Sequence, residues 1–152
     1  MEMKKERKRR LFTWAAGTAL CLSLLGCQGE EKMKNGYYTA EMAEYDFEGY
    51  KEYVCMLVRN NKIIAIEFNG RDQNGFIKAW DNEYMNKMKT KQGTYPNEYT
   101  RLYSARLIES QDISQVDMIS GASTSGGRFV RLVTAAIEQA KKGDHQVVII
   151  EE

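Results

Sequence analysis

The sequence predicts an α+β domain, a mostly antiparallel sheet packed by helices. Three observations carry that expectation. Two β-rich runs flank the pair Asn60-Asn61; residues 129–140 place apolar side chains at helical spacing; and the elements run β–β–β–α–α–α–β. The 152 residues, 28% charged and 43% hydrophobic, have a globular balance. The sequence shows no internal repeat and no second domain.

Residues 36–41 (Gly-Tyr-Tyr-Thr-Ala-Glu) are rich in β-formers and predict a first strand. A connection containing Gly49 follows, and then a hairpin: residues 53–58, a turn at Asn60-Asn61, and residues 63–68. Asn tolerates the positive φ that such turns need. Alternation in the second arm puts Ile64, Ile66 and Phe68 on the expected core face, and Cys55 in the first arm reads as a small core residue. Residues 69–75 have the composition of a loop. Asp81 is placed to cap a helix over residues 82–91, with Tyr84, Met85 and Met88 on one side and Gly93 at its end. Pro96 suits the first turn of a second helix, which runs to about Ser110 with Tyr99, Leu102, Tyr103, Arg106 and Leu107 on one face. The last helix is the clearest. Phe129, Leu132, Val133, Ala136, Ile137 and Ala140 keep the 3.6-residue period, Ser123, Thr124 or Ser125 is placed to cap it, and Lys141-Lys142-Gly143 closes it. Residues 147–150 (Val-Val-Ile-Ile) finish as a strand.

The N-terminus belongs to targeting rather than to the fold. A basic stretch with Lys4, Lys5, Arg7, Lys8, Arg9 and Arg10 precedes an uncharged, largely apolar run over residues 11–26. That run is short for a membrane span, which needs roughly 20 residues, and suits a signal peptide. Leu24-Leu25-Gly26-Cys27 resembles the lipobox of bacterial lipoproteins. The resemblance implies cleavage before Cys27, a diacylglycerol on its thiol, and a chain anchored to the membrane lipid on the extracytoplasmic face. An uncleaved anchor helix is the competing reading; the hydrophilic residues 28–32 favour the lipoprotein. Six of the 22 Lys and Arg, and only two of the 21 Asp and Glu, leave with the leader. The remainder is slightly acidic and has no basic stripe for nucleic acid. One thiol, Cys55, stays in the domain, so it has no internal disulfide. With a single histidine, His145, in an exposed connector, a transition-metal site built by the protein is not expected.

The chemistry concentrates in Ser120-Gly121-Ala122-Ser123-Thr124-Ser125-Gly126-Gly127, a small, hydroxyl-rich segment opening into the last helix. The first N–H groups of a helix lack internal partners and carry partial positive charge, so such a segment can seat a phosphate. The same hydroxyls can equally serve only as caps. Residue physics leaves both readings open.

Asp117-Met118-Ile119-Ser120-Gly121-Ala122-Ser123 resembles the flavinylation motif of FMN-binding domains related to subunits of sodium-pumping and Rnf-type oxidoreductases. That family's pattern is Asp, two variable residues, Ser or Thr, Gly, Ala and usually Thr. The resemblance implies an FMN-binding domain over residues 36–152, following the signal peptide at 1–26 and the lipidated tether at 27–35. It further implies that a flavin transferase esterifies the FMN phosphate to Ser123, with Asp117, Ser120, Gly121 and Ala122 as the recognition segment and Ser125 as a flanking hydroxyl. Ser123 stands where the family usually has Thr, and Thr124 follows directly, so Thr124 is the alternative acceptor. The expected role is a redox carrier that passes electrons through FMN to partner proteins or small-molecule acceptors, with no catalytic residue of its own. Rival readings are non-covalent FMN, a flavin-free binding or sensory lipoprotein, and a signalling role for the released leader peptide. Trp80, Tyr84, Tyr95 and Tyr99 are candidates for the bed of a flavin ring, or plain packing residues. Asp72 and Lys78 read as keeping their loop soluble, with flavin contact as the alternative.

Overall fold

Strand β1 (Gly36–Met42) runs through the middle of a four-stranded sheet of order β3-β2-β1-β4. It pairs antiparallel with β2 (Lys51–Arg59), which pairs antiparallel with β3 (Lys62–Arg71), while the short β4 (Val148–Ile150) joins the other edge of β1 in parallel. The expected α+β class with a mostly antiparallel sheet is thus what the chain forms. The coordinates are a computed structural model describing residues 31–152; the leader and Cys27 lie outside the described residues.

Three helices follow the hairpin. Helix α1 (Asn82–Gln92) is capped by Asp81, whose side chain accepts from the Tyr84 amide, and ends at Gly93 in the left-handed region. Helix α2 (Pro96–Ser110) starts on its proline, and α3 (Ser123–Lys142) ends at Gly143, also left-handed. Helices α2 and α3 cover one face of the sheet. Tyr38 and Ala40 of β1 and Val54, Met56 and Val58 of β2 are buried against Tyr103 and Leu107 of α2 and Phe129, Leu132 and Val133 of α3. An aromatic cluster fills the centre: Phe129 lies 4.9 Å from Phe68 and 5.3 Å from Tyr103, ring centre to ring centre.

Four expectations are corrected. Strand β3 extends through Arg71, so residues 69–71 are not loop. Its core face begins at Ile63, which is buried, while Ile64 is 46% exposed. A register shift beside Leu57 and Val58, where Leu57 faces Ala65 but Val58 faces Ile63, leaves Ile64 as the extra residue of a bulge and reverses the side-chain parity. Cys55 is half-buried on the sheet face opposite Val54 and Met56, so it is no core residue. Leu102 is 41% exposed, because the buried stripe of α2 is the narrower set Tyr99, Tyr103 and Leu107.

Helix α1 buries no residue outright and leans on the 3-10 turn Lys78–Trp80 rather than on the sheet. It sits at the margin of the core, against which its Met88 packs, and the space it encloses with the start of α3 holds the candidate site.

Candidate functional site

The start of α3 is shaped by sterics before chemistry. Gly121 has φ +80°, and a Cβ there would come within 2.3 Å of the Gln92 carbonyl oxygen. Gly126 lies against the Tyr103 hydroxyl at the same close range. Tyr103 ties the segment down from α2: its hydroxyl donates to the Ala122 carbonyl at 3.2 Å and accepts from the Ile119 amide at 2.9 Å. Two of the glycines in the motif are therefore explained by packing alone.

No hydroxyl caps α3, contrary to the expectation that Ser123, Thr124 or Ser125 would. The N-cap is Ala122, without a side-chain hydrogen bond, and the three hydroxyl residues are the first three of the helix itself. The amide of Gly126 bonds to the Ala122 carbonyl, but those of Ser123, Thr124 and Ser125 meet no acceptor among the described residues. A 20-residue helix thus presents unpartnered N–H groups and its positive dipole end.

These amides border a pocket of about 480 Å3, lined by Gly121 and Ala122 just before α3, by Ser123 to Ser125 and Arg128 of α3, by Tyr84, Lys87, Met88 and Lys91 of α1, by Lys78 and Tyr99, and by Asp46 and Glu48 of the β1–β2 connection. Its size falls within the range of small-molecule sites, roughly 300–1,000 Å3. Of the residues singled out in the sequence, Gly121, Ala122, Ser123, Thr124 and Ser125 come together on this wall. Ser123 and Thr124 are exposed, and Ala122 is buried. Asp117 and Ser120 are exposed and stand outside the lining; the Asp117 carbonyl accepts from Arg106 at 2.8 Å.

Among the aromatic candidates, Tyr84 and Tyr99 line the pocket. Trp80 is 65% exposed and borders another groove, and Tyr95, half-buried at the N-cap of α2, lies under the Lys89 ammonium and outside the pocket lining. Asp72 accepts from the amides of Asn74 and Phe76 and shapes its own loop. Lys78 is not a solubilising residue. It is 4% exposed, its Nζ bonds to Asp46 at 2.7 Å, and it lies over the rings of Tyr50 and Tyr84.

The sequence reading missed Glu52. It is 2% exposed, and its Oε1 accepts from the Ser125 hydroxyl at 2.6 Å. Its Oε2 has no hydrogen-bond partner and lies 3.7 Å from Arg128. Burial raises the proton affinity of this carboxyl, against the opposing pull of Ser125, Lys78 and Arg128. The Tyr99 hydroxyl, 3.4 Å from the same Ser125 oxygen, is likewise pushed up by burial and then by Glu52. The signal was available: strand alternation places Glu52 on the face of Val54, Met56 and Val58. Arg128, also missed, follows from helical spacing after Ser125.

A four-stranded α+β domain with an uncapped, hydroxyl-rich helix start beside a basic pocket defines the class. No family model matches the chain. The crystal structure of the CPE2226 protein from Clostridium perfringens superposes with a TM-score of 0.75 at 30% identity, over 79% of this chain and 98% of that one. At that identity and coverage the chain belongs to the same family as CPE2226. It is also 28% identical over 132 residues to the 15 kDa lipoprotein of Treponema pallidum (strain Nichols), covering 86% of this chain and 94% of that protein. Among the described residues no helix is long and apolar enough to cross a membrane.

Proposed function

We propose that this protein is a lipid-anchored, extracytoplasmic electron carrier that holds FMN with its phosphate at the start of α3 and its ester bond at Ser123. The observation that carries the reading is the set of unpartnered amides at Ser123, Thr124 and Ser125, opening into a pocket edged by Lys87, Lys91 and Arg128. An FMN phosphate, dianionic when free and singly charged once esterified to Ser123, suits that donor set, which combines helix-terminal N–H groups with flexible cations. Tyr84 and Met88 offer apolar surface on the same walls for a planar ring. The residues present therefore fit the group. When bound, a flavin supplies the capacity to accept and release electrons. The chain's own part is to hold the phosphate and flank the ring.

The exposed hydroxyl of Ser123 is open to a modifying transferase, whereas that of Ser125 is already engaged by Glu52. A covalent bond has a clear use outside the cell, since a freely exchanging cofactor is lost by dilution. The lipid anchor at Cys27 rests on the lipobox resemblance and on the similarity to a 15 kDa lipoprotein. Redox partner proteins or small-molecule acceptors would take the electrons onward.

The test is flavin fluorescence of the denatured protein after export from a host that also makes a flavin transferase. The wild-type band is expected to fluoresce and the Ser123→Ala band to be dark. A dark Thr124→Ala band beside a bright Ser123→Ala band moves the bond by one residue. A dark wild-type band ends the covalent reading, and absence of flavin from the native protein as well leaves a flavin-free binding lipoprotein.

A further inference from the structure

We infer that Glu52 is the proton-linked counter-charge of the α3 anion seat, so that an anion entering the seat drives a proton from solvent onto the Glu52 carboxylate. The inference rests on the reading of the pocket as a phosphoryl site and concerns a residue which that reading does not use.

Glu52 of β2 is buried directly behind the pocket wall, against the lining residues Ser125 and Arg128, and groups from every neighbouring element face it. From α3 come Ser125, donating at 2.6 Å to Oε1, and Arg128, 3.7 Å from Oε2. From α2 comes Tyr99, next to the same serine. Lys78 reaches in from the 3-10 turn and Asp46 from the β1–β2 connection, and those two are paired with each other at 2.7 Å. Arg128 is divided as well, because it also pairs with Glu152. The positive groups around Glu52 are thus already shared, and Oε2 has no hydrogen bond at all.

Without an anion on those amides, the ionised carboxylate faces the dipole end of α3 through Ser125 and is tolerated there. A dianion on the amides of Ser123, Thr124 and Ser125 competes for that same field and for Arg128. Two negative charges then lie close together where water screens them poorly, and the buried one is neutralised. The step is simple in balance: one O–H bond forms at Oε2, the proton comes from solvent, and no electrons move. Burial already inclines Glu52 toward its protonated form.

The experiment uses FMN itself as probe, bound without a transferase and followed by quenching of its fluorescence from pH 5 to pH 8, for wild type and Glu52→Gln. The ratio of the two dissociation constants removes the titration of the FMN phosphate. Wild type is expected to weaken against Glu52→Gln as pH rises, by up to about tenfold per pH unit through the transition. It is also expected to take up more protons per FMN bound than the variant does in weakly buffered solution. Ser125→Ala, which keeps the carboxyl but removes its hydrogen bond, should move the transition to higher pH. This second variant keeps the test readable if Glu52→Gln fails to fold. A ratio that does not change with pH, together with equal proton uptake, overturns the inference while leaving the seat intact. Failure of wild type and both variants to bind FMN at any pH overturns the seat and the inference together.

Discussion

Asp81 joins two elements with one carboxylate. Its Oδ1 accepts from the Tyr84 amide at 2.9 Å, capping α1, and its Oδ2 accepts from the Tyr50 hydroxyl at 2.7 Å, fixing that helix to the strand side of the pocket. The Tyr84 amide, and after it the Tyr50 hydroxyl, hold the Asp81 carboxyl below its ordinary value of 3.8. A carboxyl lowered on folding stabilises the protein fully above its unfolded value, and that contribution is lost as pH falls through the folded one. Asp81→Ala should therefore lower stability by about 1 kcal/mol at pH 7, with the deficit shrinking at strongly acid pH; urea denaturation at the two pH values measures it. Asp81 was legible in sequence because capping is local chemistry. Glu52 was legible only in part: strand alternation puts it on the core face, but nothing local says that α3 will cover a charged residue at the start of a strand. The caps expected of Ser123, Thr124 and Ser125 fail for a related reason. Tyr103 of α2 fixes Ala122 at the N-cap, and a contact from a distant helix decides what the hydroxyls are free to do.

Helix α3 contains two adjacent glycines that a propensity scale treats alike and the structure separates. A Cβ at Gly126 would meet the Tyr103 hydroxyl at 2.3 Å and the Met118 sulfur at 2.6 Å, whereas a Cβ at Gly127 would meet nothing within 4 Å. Gly126→Ala should cost about 1–3 kcal/mol through overpacking. Gly127→Ala should raise stability by up to about 1 kcal/mol, because alanine suits a helix interior better. Thermal melts of the two variants, run together, check the contrast. At this scale the helices were the readable part. Pro96, Gly93 and Gly143 mark ends through backbone geometry that operates in any context. Strand β3 was readable in type but not in face, since one bulged residue, Ile64, shifts every side chain beyond it. The pocket wall made by α1 was not readable, because Tyr84 and Met88 look like an ordinary buried stripe until α1 is found standing off the sheet.

At the scale of the whole molecule, the sheet and its two covering helices meet at Phe129, which is fully buried and touches the rings of Phe68 and Tyr103. Phe129→Ala should cost about 3–5 kcal/mol, enough to bring a domain of this size close to unfolding, with the loss read as a fall in urea midpoint. Since Phe129 lies just over one turn beyond Ser125, the same variant should also loosen the start of α3. The fold class was open to sequence because it depends on the order of elements, and the site was half open because its hydroxyls are contiguous. The remainder, Glu52, Lys78 and Arg128, comes from three separate elements, β2, the 3-10 turn and α3.

Helix α3 also has a far end. There the Lys34 amide donates to the Ala140 carbonyl and the Lys34 ammonium to the Lys142 carbonyl, each at 2.9 Å, while Asn35 accepts from the amide of Asn60 in the hairpin turn. The segment that emerges from the N-terminal region is thus clamped at one pole, and Ser123 stands at the other. Twenty residues of helix span about 30 Å. The helix is a mast, stepped at the point where the chain leaves for its anchor and carrying the pocket at its head. The pocket therefore lies at the end of α3 remote from the segment that leads back to the N-terminal region, so a molecule entering the pocket need not touch that segment.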